Sequence, residues 1–434
     1  MRDWGAARVA AAAGARLVRD APGEPSRVVI DSRAVGPGDL FVGLTGEHVD
    51  GGRFAAAALE AGAWGVLVGP GWEAVEGGGV LVADDPLGAM GTLAREWRRA
   101  LGATVIAVTG SVGKTSTKDL ITAVLAPSRR VVASRANFNT DIGMPPEILG
   151  ADPGTEVLVL EAAMRGFGEI ATLREICEPD VGVITNIAPV HLEQVGSLEG
   201  VARAKAELLP GVATAVVPAA EPLLDPYLGD LDVTRFGDGG DVWLDGDTVV
   251  AFGERLDLEL PFRARHQRVN ALAAVAAALA VGVRPAGRLE VAAGHLRGER
   301  IALPVGAVVI NDCYNASPLS VRAALEELAA ETPTGRRIAV LGDMLELGTE
   351  EERLHREVGT AAQDAGVDVL VTVGPRAAAM LDTFDGESYA VADAAEAAAL
   401  AGELVADGDV MLVKGSRGVG LEIVAAALQA VPHG

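Results

Sequence analysis

The chain has 434 residues, of which 50% are hydrophobic and only 4% are aromatic, and its formal net charge is −24. This length predicts more than one domain, and the composition predicts cores rich in Ala, Val and Leu. The negative charge argues against a nucleic-acid partner, whose phosphates the surface would repel. Two cysteines, Cys177 and Cys313, are too few for a disulfide framework and favour a reducing, cytoplasmic location.

The first block, residues 1–98, begins with an alanine-rich helix and continues with short apolar strands separated by glycines. We predict strands at Val28–Ile30, Leu40–Leu44 and Val66–Val68, with a helix over Phe54–Ala61. A helix that crosses a bilayer needs roughly 18–20 apolar residues, and we find no such segment. The longest candidate, Ala271–Val283, predicts a packed core helix, so we expect no membrane insertion.

The second block, residues 99–300, alternates apolar strands with helices, which is the pattern of a parallel sheet covered on both faces. The predicted strands are Thr104–Val108, Val131–Ser134, Val157–Leu160, Val181–Thr185 and Ala215–Val217. Near residues 232–262 the alternating stretches are shorter, as in Val242–Leu244 and Leu256–Leu260. These stretches predict antiparallel strands appended to the sheet.

The third block, residues 301–434, predicts a second doubly wound sheet, with helices between its strands. Its predicted strands are Val308–Ile310, Arg337–Leu341, Val369–Val373 and Val410–Val413. The sequence therefore predicts an α/β protein of three domains. They are a small N-terminal α/β domain, a central domain with a mostly parallel sheet and a phosphate loop, and a C-terminal Rossmann-like doubly wound domain.

The phosphate loop lies between the predicted strand Thr104–Val108 and a helix predicted over Thr117–Leu125. It reads Thr109-Gly110-Ser111-Val112-Gly113-Lys114-Thr115-Ser116. Such a turn directs backbone N–H groups and a helix N-terminus at one point, which suits a polyphosphate. Lys114 would reach the β- and γ-phosphates, and Thr115 would offer its hydroxyl to Mg²⁺. We therefore expect ATP binding, and the alternative is a chance glycine turn.

Further candidate residues follow neighbouring strands. Glu161 comes directly after Val157–Leu160, and ligands bind at the carboxyl ends of parallel strands, so Glu161 is expected to approach the Mg²⁺ held by Thr115. His191 follows the next strand and is open to three interpretations, as a metal ligand, an acid–base group or a capped loop histidine. Lys205 lies in a predicted helix, where a lysine is usually solvated.

The phosphate loop, Glu161, His191 and Lys205 together resemble the Mur ligase family, the ATP-dependent amide-forming enzymes of peptidoglycan precursor assembly. The resemblance implies that CO₂ carbamylates Lys205. It also implies two Mg²⁺ ions, the first held by Thr115 and Glu161 and the second by Glu161, His191 and the Lys205 carbamate. An anionic carbamate suits this role because an ammonium group would repel Mg²⁺.

Motifs in all three blocks resemble the branch of this family that adds a dipeptide. They are Asp31-Ser32-Arg33, Pro37–Leu44 with Gly46-Glu47, Asn137–Pro145, Asn311–Pro318, Leu341–Gly348 with His355, and Val413–Arg417. The Asp-Asn-Pro-Arg box expected of the branch that adds a diamino acid does not occur in the sequence. Gly52 and Ser317 stand where the family pattern usually has a histidine and an asparagine.

The resemblance also implies a role for individual residues. The UDP-linked substrate would contact Asp31, Ser32, Arg33, Thr45, Asn137 and Asn139. ATP would contact Thr109 to Ser116, Asn270, Arg300, Asp312 and Asn315. Arg300, at the linker into the third block, would contact the γ-phosphate. Asp312 and Asn315 would face the ribose and base. Catalysis would use Lys114, Glu161, His191, Lys205 and Arg300. Lys414, Ser416 and Arg417 would bind the dipeptide carboxylate, or form an ordinary surface loop.

The implied reaction joins D-alanyl-D-alanine to UDP-N-acetylmuramoyl-tripeptide, with ATP giving ADP and phosphate through an acyl phosphate. Residues 1–98 would bind the UDP-sugar, 99–300 ATP, and 301–434 the dipeptide, closing on ATP about a hinge at Gly294–Gly298. The expected partners are these small molecules, and the chain is expected to act as a monomer in the cytoplasm. Two alternatives stay open: a Mur-type ligase for a different carboxylate, and a phosphate-loop ATPase or silent nucleotide-binding scaffold.

Overall fold

The computed structural model describes residues 3–46, 48–135, 138–262, 264–290 and 298–430. The chain divides into two compact units. The first comprises Met1–Thr185, Arg203–Glu259 and Asn270–Leu289, and the second comprises Asn186–Ala202, Leu260–Val269 and Glu290–Gly434. Glu47, Asn137 and Gly294, which the sequence placed in motifs or the hinge, lie outside the described residues. The domain boundaries at residues 98 and 300 stay a prediction.

The first unit begins with a five-stranded sheet. Its strands are β1 (Arg16–Arg19), β2 (Val28–Val29), β3 (Leu40–Val42), β4 (Gly65–Val68) and β5 (Gly79–Val82), in the order β1-β5-β4-β3-β2. The first strand is antiparallel to β5 and the other pairs are parallel. The helices of this part are α1 (Ala6–Ala13), α2 (Ala55–Glu60) and α3 (Pro86–Leu101). The predicted strands and α2 are confirmed, whereas the sequence reasoning missed β1, β5 and α3.

Helix α3 connects this sheet to the next one within the first unit. The Trp97 indole packs edge-on against Trp4, with 5.3 Å between ring centroids, and its N–H donates to the carbonyl oxygen of Ala151 at 3.1 Å. The Arg98 guanidinium lies 2.9 Å from the Asp180 carboxylate. These contacts attach the N-terminal segment to the sheet that carries the phosphate loop.

The nine-stranded sheet of the first unit carries the phosphate loop, which follows the third strand from one edge. Its strands are β6 (Thr104–Thr109), β7 (Val131–Ala133), β8 (Val157–Glu161), β9 (Val181–Ile184), β10 (Thr214–Pro218), β11 (Asp232–Phe236), β12 (Val242–Asp245), β13 (Thr248–Ala251) and β14 (Glu254–Arg255). Their order is β14-β13-β12-β11-β10-β9-β6-β8-β7, parallel from β7 to β12 and antiparallel beyond. The parallel sheet and the antiparallel extension are thus confirmed.

One antiparallel prediction is wrong. The stretch Leu256–Leu260 contributes β15 (Leu258–Glu259), which pairs in parallel with β16 (Gly287–Arg288) in a separate two-stranded sheet. The alternation of Leu256–Leu260 indicated a half-buried strand, but it carried no information on the distant partner.

In the described part of the chain, six helices lie between α3 and the last sheet. They are α4 (Lys114–Leu125), α5 (Met144–Leu149), α6 (Glu169–Cys177), α7 (Leu192–Val195), α8 (Leu198–Ala206) and α9 (Arg265–Ala280). Helix α4 begins at Lys114 rather than at the predicted Thr117, so Lys114 and Thr115 lie in its first turn. Helix α9 is buried from Asn270 to Ala278, which confirms the predicted core helix. Among the helices in the described part of the chain, none has the length and apolarity needed to span a membrane.

The second unit contains a six-stranded sheet. Its strands are β17 (Glu299–Ala302), β18 (Val308–Asn311), β19 (Arg337–Gly342), β20 (Val369–Val373), β21 (Glu387–Val391) and β22 (Val410–Lys414), in the order β17-β18-β22-β19-β20-β21. Only the β17–β18 pair is antiparallel. Helices α10 (Pro318–Ala330), α11 (Glu351–Asp364), α12 (Ala394–Leu404) and α13 (Glu422–Ala430) form two separate apolar cores with the sheet, α10 and α11 in one and α12 and α13 in the other. The doubly wound prediction is confirmed.

Candidate functional site

The phosphate loop joins β6 to α4, and two of its glycines are required by their surroundings. Gly110 has a φ of 146°, and a Cβ atom there would collide with the Oγ1 atom of Thr185. Gly113 has a φ of 83°, and a Cβ atom there would lie 2.7 Å from the Oδ1 atom of Asn270. A side chain at either position is therefore excluded. The second contact also places Asn270, from α9, beside the loop, while its contact with ATP stays a prediction.

The first turn of α4 presents the charged end of this loop. The Lys114 ammonium donates to the carbonyl oxygen of Gly110 at 2.9 Å, and the Thr185 hydroxyl donates to the carbonyl oxygen of Val112 at 2.6 Å. Both hydrogen bonds hold the loop in its turn conformation. The N-terminus of α4 adds a partial positive charge at the same place, so the loop suits a polyphosphate.

Glu161 ends β8 beside the loop, and the residue is only 2% exposed. The Thr115 hydroxyl donates to its Oε2 atom at 2.7 Å, and the Asn139 amide donates to its Oε1 atom at 2.9 Å. The Glu161 backbone N–H donates to the Ser134 hydroxyl at 3.0 Å, and the buried Lys118 ammonium donates to the Ser134 carbonyl at 2.7 Å. The predicted proximity of Thr115 and Glu161 is observed, while Asn139 lies against Glu161, a contact that the sequence did not indicate.

The oxygen atoms of Thr115 and Glu161 fit Mg²⁺, which prefers hard oxygen ligands. Within the described residues, no three His, Cys, Asp or Glu side chains gather into a ready-made metal centre. Mg²⁺ is usually held by one or two carboxylates together with phosphate oxygens and water. Thr115 and Glu161 would therefore hold the ion jointly with a bound nucleotide.

Lys205 lies in α8, in the first unit, and the residue is only 2% exposed. Burial, and to a smaller extent the nearby Lys114 ammonium, lowers the pKa of Lys205 well below its usual value. The interpretation of Lys205 as a solvated helix lysine is therefore wrong. The Glu207 carboxylate accepts hydrogen bonds from the backbone N–H of Gly168 at 2.9 and 3.0 Å, which attaches the end of α8 to the segment that follows β8.

His191 lies in the second unit, in the loop directly before α7. Its φ is 54°, and its Nδ1 atom is hydrogen-bonded to the carboxylate of Glu346. Glu346 belongs to the Leu341–Gly348 motif, for which the sequence gave no individual role. Sequence reasoning missed this partner, and the motif itself was the only signal that could have indicated it.

Lys414 and Ser416 are both buried in the second unit, so the surface-loop interpretation is wrong for them. The Lys414 side chain is 3% exposed, and its ammonium donates to Oδ2 of Asp312 at 2.6 Å and to the carbonyl oxygen of Asn315 at 2.9 Å. The Ser416 hydroxyl accepts the backbone N–H of Leu345 at 3.0 Å. These contacts hold three sequence motifs together.

Two predicted arginines of the second unit have local partners. Arg417 is exposed, and its guanidinium lies 5.5 Å from the centre of the Tyr314 ring. Arg300 lies within β17 and not in a linker, because residues 299–302 pair with β18. Its guanidinium donates to both carboxylate oxygens of Glu331, at 2.7 and 3.1 Å.

In the five-stranded sheet domain, Arg33 and Asp31 form a paired unit. The Arg33 side chain is 88% exposed and donates to both Asp31 oxygens, at 2.9 and 2.8 Å. This hydrogen bonding lowers the pKa of Asp31 to about 2. Ser32 is half-buried in the same short 3-10 turn, Ser32–Ala34, and Thr45 is exposed. The predicted UDP-binding motif is thus on the surface.

The structure also explains the two departures from the family pattern. A Cβ atom at Gly52 would collide with the indole ring of Trp72, which donates its N–H to Asp50 at 2.9 Å. No histidine can therefore occupy position 52 in this chain. Ser317 caps α10 by accepting the backbone N–H of Ser320, a role that serine performs well.

A glycine-rich loop between a buried strand and a helix, with a buried carboxylate against its threonine, defines a nucleotide-binding enzyme of the phosphate-loop class. Three family models match the chain: "Mur ligase family, catalytic domain" over residues 25–72, "Mur ligase middle domain" over 108–278, and "Mur ligase, glutamate ligase domain" over 296–417. The chain belongs to the Mur ligase family.

Two curated relatives are both named UDP-N-acetylmuramoyl-tripeptide–D-alanyl-D-alanine ligase. The Bacillus subtilis protein is 35% identical over 91% of this chain and 91% of its own length. The Escherichia coli protein is 35% identical over 93% of both chains. MurF of Acinetobacter baumannii has a similar structure, with a TM-score of 0.90, 28% identity and 99% of each chain covered. MurF of Thermotoga maritima in complex with ADP gives a TM-score of 0.80 at 28% identity, over 93% of this chain and 97% of that one.

Proposed function

We propose that this chain is the ATP-dependent ligase that joins D-alanyl-D-alanine to UDP-N-acetylmuramoyl-tripeptide, with release of ADP and phosphate, in peptidoglycan precursor synthesis. The named relatives support the substrates, since their similarity extends over more than nine tenths of the chain. The observation that carries the catalytic part is the buried Glu161 carboxylate, hydrogen-bonded to Thr115 at the end of the phosphate loop.

The chemistry explains why a ligase needs this arrangement. A carboxylate is a poor acyl donor, so it first attacks the γ-phosphate of ATP to form an acyl phosphate, and the dipeptide amine then displaces phosphate. Both steps develop negative charge on oxygen, which fixed positive groups stabilise. Lys114 and the N-terminus of α4 supply such groups at the loop. Bound Mg²⁺ would add charge neutralisation, held through Thr115 and Glu161.

A second Mg²⁺ held by Glu161, His191 and carbamylated Lys205 is part of the same proposal. It rests on the resemblance of these residues to the family pattern, and the burial of Lys205 supports it. CO₂ reacts with an amine and not with an ammonium ion, and a lysine removed from water is more readily an amine. The resulting carbamate is an anion, so the nearby Lys114 cation would attract it, whereas that cation repels an ammonium group.

The remaining assignments concern substrate binding. Asp31, Ser32, Arg33 and Thr45 are proposed for the UDP end of the acid, and Asp312 and Asn315 for the nucleoside of ATP. Arg417, exposed beside Tyr314, is the candidate for the dipeptide carboxylate. Lys414 and Ser416 would support that loop from beneath. Both cysteines are buried free thiols, which is consistent with a cytoplasmic location, and the monomeric state stays a prediction.

Phosphate release tests the function directly. The chain is supplied with ATP, Mg²⁺ and UDP-muramoyl-tripeptides that end in lysine or meso-diaminopimelate, with and without D-alanyl-D-alanine. We expect phosphate release that depends on both the tripeptide and the dipeptide, and its complete loss in Lys114→Ala. With an ¹⁸O-labelled tripeptide carboxylate, one label should appear in the released phosphate. Turnover with a different acid, and none with these tripeptides, would favour the alternative Mur-type ligase.

A further inference from the structure

His191 and Glu346 are both in an unusual backbone conformation, and they touch each other. His191 has a φ of 54° and Glu346 a φ of 63°. A positive φ is unfavourable for residues with a Cβ atom, and it persists only where the surrounding contacts hold it. The residues are 155 positions apart in the sequence, yet both belong to the second unit.

Two further contacts join the loops that carry them. The backbone N–H of Leu192 donates to the carbonyl oxygen of Glu346 at 3.1 Å. Gly348, with a φ of 61°, lies against Glu193, since a Cβ atom built on this glycine would be 3.6 Å from the Glu193 backbone nitrogen. The loop after β19 therefore supports the loop before α7 through backbone as well as side-chain contacts.

The side-chain contact determines which nitrogen of the His191 ring carries the proton. The Nδ1 atom is hydrogen-bonded to the Glu346 carboxylate. An ionised carboxylate has no proton to donate and acts only as an acceptor. Nδ1 must then donate, so the lone pair of the neutral ring is on Nε2. Metal-binding histidines commonly have this arrangement, in which a carboxylate fixes the tautomer and the ring orientation.

We propose that Glu346 is a positioning residue for His191: it holds the imidazole in the Nδ1–H tautomer and in one orientation, with Nε2 directed to its ligand. The identity of that ligand as Mg²⁺ rests on the proposed function, whereas the tautomer does not. Glu346 thereby gives the Leu341–Gly348 motif a role in orienting His191, and this role does not require the motif to contact substrate.

Histidine ¹⁵N labelling tests the tautomer in the full-length chain without metal or nucleotide. Long-range ¹H–¹⁵N spectra distinguish Nδ1–H from Nε2–H rings, and the His191 signals are assigned by their loss in His191→Gln. His355 is an internal reference, because its Nδ1 atom faces the carbonyl oxygen of Glu351 at 2.7 Å and its Nε2 atom accepts the Met344 N–H at 3.0 Å. We expect the Nδ1–H form for both rings in the unmodified chain.

Glu346→Ala should shift His191 toward the Nε2–H form that an unconstrained histidine side chain prefers, with His355 unchanged. The matched control is Glu350→Ala, which removes a carboxylate from the same loop that pairs with Arg353 and not with His191. An Nε2–H ring in the unmodified chain would overturn the proposal without any variant. A His191 tautomer unchanged in folded Glu346→Ala would overturn it as well.

A measurement of Mn²⁺ binding separates this proposal from the assignment of His191 as a metal ligand. The binding is monitored by electron paramagnetic resonance in the presence of a non-hydrolysable ATP analogue. In Glu346→Ala, loss of the orienting carboxylate should weaken the Mn²⁺ affinity of one site about 10- to 100-fold. Loss of a residue that hydrogen-bonds to a metal ligand commonly has an effect of this size. If the tautomer changes but Mn²⁺ affinity is unaffected in both Glu346→Ala and His191→Gln, the positioning role is supported and only the ligand role of His191 fails.

Discussion

Asn139 holds one oxygen of the Glu161 carboxylate, at 2.9 Å, while Thr115 holds the other. Asn139 therefore belongs to the metal side of the site as much as to the substrate loop. We expect Asn139→Ala to raise the Mg²⁺ concentration for half-maximal activity about tenfold, because loss of a partner that orients a metal ligand weakens metal binding. The KM for the UDP-linked substrate should change by less than about twofold.

Thr140→Ala is the matched control for this variant, since it alters the next residue of the same loop without touching Glu161. The Mg²⁺ requirement of the control should equal that of the unmodified chain. A large rise in the KM for the UDP-linked substrate in Asn139→Ala, with an unchanged Mg²⁺ requirement, would instead restore the substrate-binding role.

Lys205 should carry a carbamate. We expect Lys205→Ala to lose activity by about 100-fold or more, because a metal-ligating anion is removed, and to regain part of it with added short-chain carboxylic acids. The chain equilibrated with ¹³CO₂ should give a carbamate signal in ¹³C spectra that disappears in Lys205→Ala. Lys118 is the matched buried lysine, and its ammonium donates to the Ser134 carbonyl, so Lys118→Arg should leave the signal in place. Full activity of Lys205→Ala without additives would refute the carbamate.

The sequence was informative where the chemistry is local. The phosphate loop, β6 and β8 follow from short runs of residues whose spacing is fixed by strand and helix geometry. By contrast, the contact between Asn139 and Glu161 spans 22 positions, and that between His191 and Glu346 spans 155. Only the packed fold brings such residues together, so no period or motif spacing could indicate them.

Burial shows the same limit. Lys205 and Lys414 both read as polar residues of a helix or loop, yet each residue is only 2% exposed. The strand pairing of Leu258–Glu259 with Gly287–Arg288 was also unpredictable, since an alternating stretch does not specify its partner. Resemblance to a family supplied the expected roles, whereas the fold supplied the contacts.

Arg33 provides the sharpest test of the UDP-binding motif. Its guanidinium is exposed and already oriented by the Asp31 carboxylate, and it could exchange or share this partner with a phosphate. We expect Arg33→Ala to raise the KM for the UDP-linked substrate about tenfold or more, roughly 1.4 kcal/mol of lost binding, with the KM for ATP nearly unchanged. Arg16→Ala, which removes an exposed arginine of the five-stranded sheet domain, should leave both constants unaltered. An unchanged KM in Arg33→Ala would reopen the question of which acid is activated.

Arg300 was expected at the γ-phosphate, but it lies within β17 and its guanidinium is hydrogen-bonded to the Glu331 carboxylate. If this ion pair is the whole role of Arg300, then Arg300→Ala and Glu331→Ala should lower the stability of the folded chain by the same small amount. Exposed pairs contribute about 0–1 kcal/mol to stability, and the side chain of Arg300 is 48% exposed. Steady-state kinetics should show ATP constants within about twofold of the unmodified chain for both variants. A fall in kcat/KM for ATP in Arg300→Ala alone would establish the phosphate contact.

His355 should make the stability of the second unit depend on pH. The ring is fully buried, and burial lowers the pKa of His355 below its ordinary value. Its Nε2 atom accepts the Met344 N–H at 3.0 Å, which requires the neutral ring. As the pH falls below about 6.5, the unfolded chain binds a proton that the folded chain does not, so the folded state loses stability, by at most about 1.4 kcal/mol per pH unit for one proton.

Hydrogen–deuterium exchange of residues 342–347 measures this effect locally. We expect protection of this segment, corrected for intrinsic exchange, to fall between pH 7.5 and pH 5.5 in the unmodified chain. His355→Gln should be less protected at pH 7.5, because the Met344 N–H loses its partner, and should change less between the two pH values because glutamine does not titrate. His266 also has a pKa lowered by burial, and it is present in both proteins, so the difference between them isolates His355. An equal pH-dependent loss of protection in both proteins would show that His355 does not titrate on unfolding of this loop.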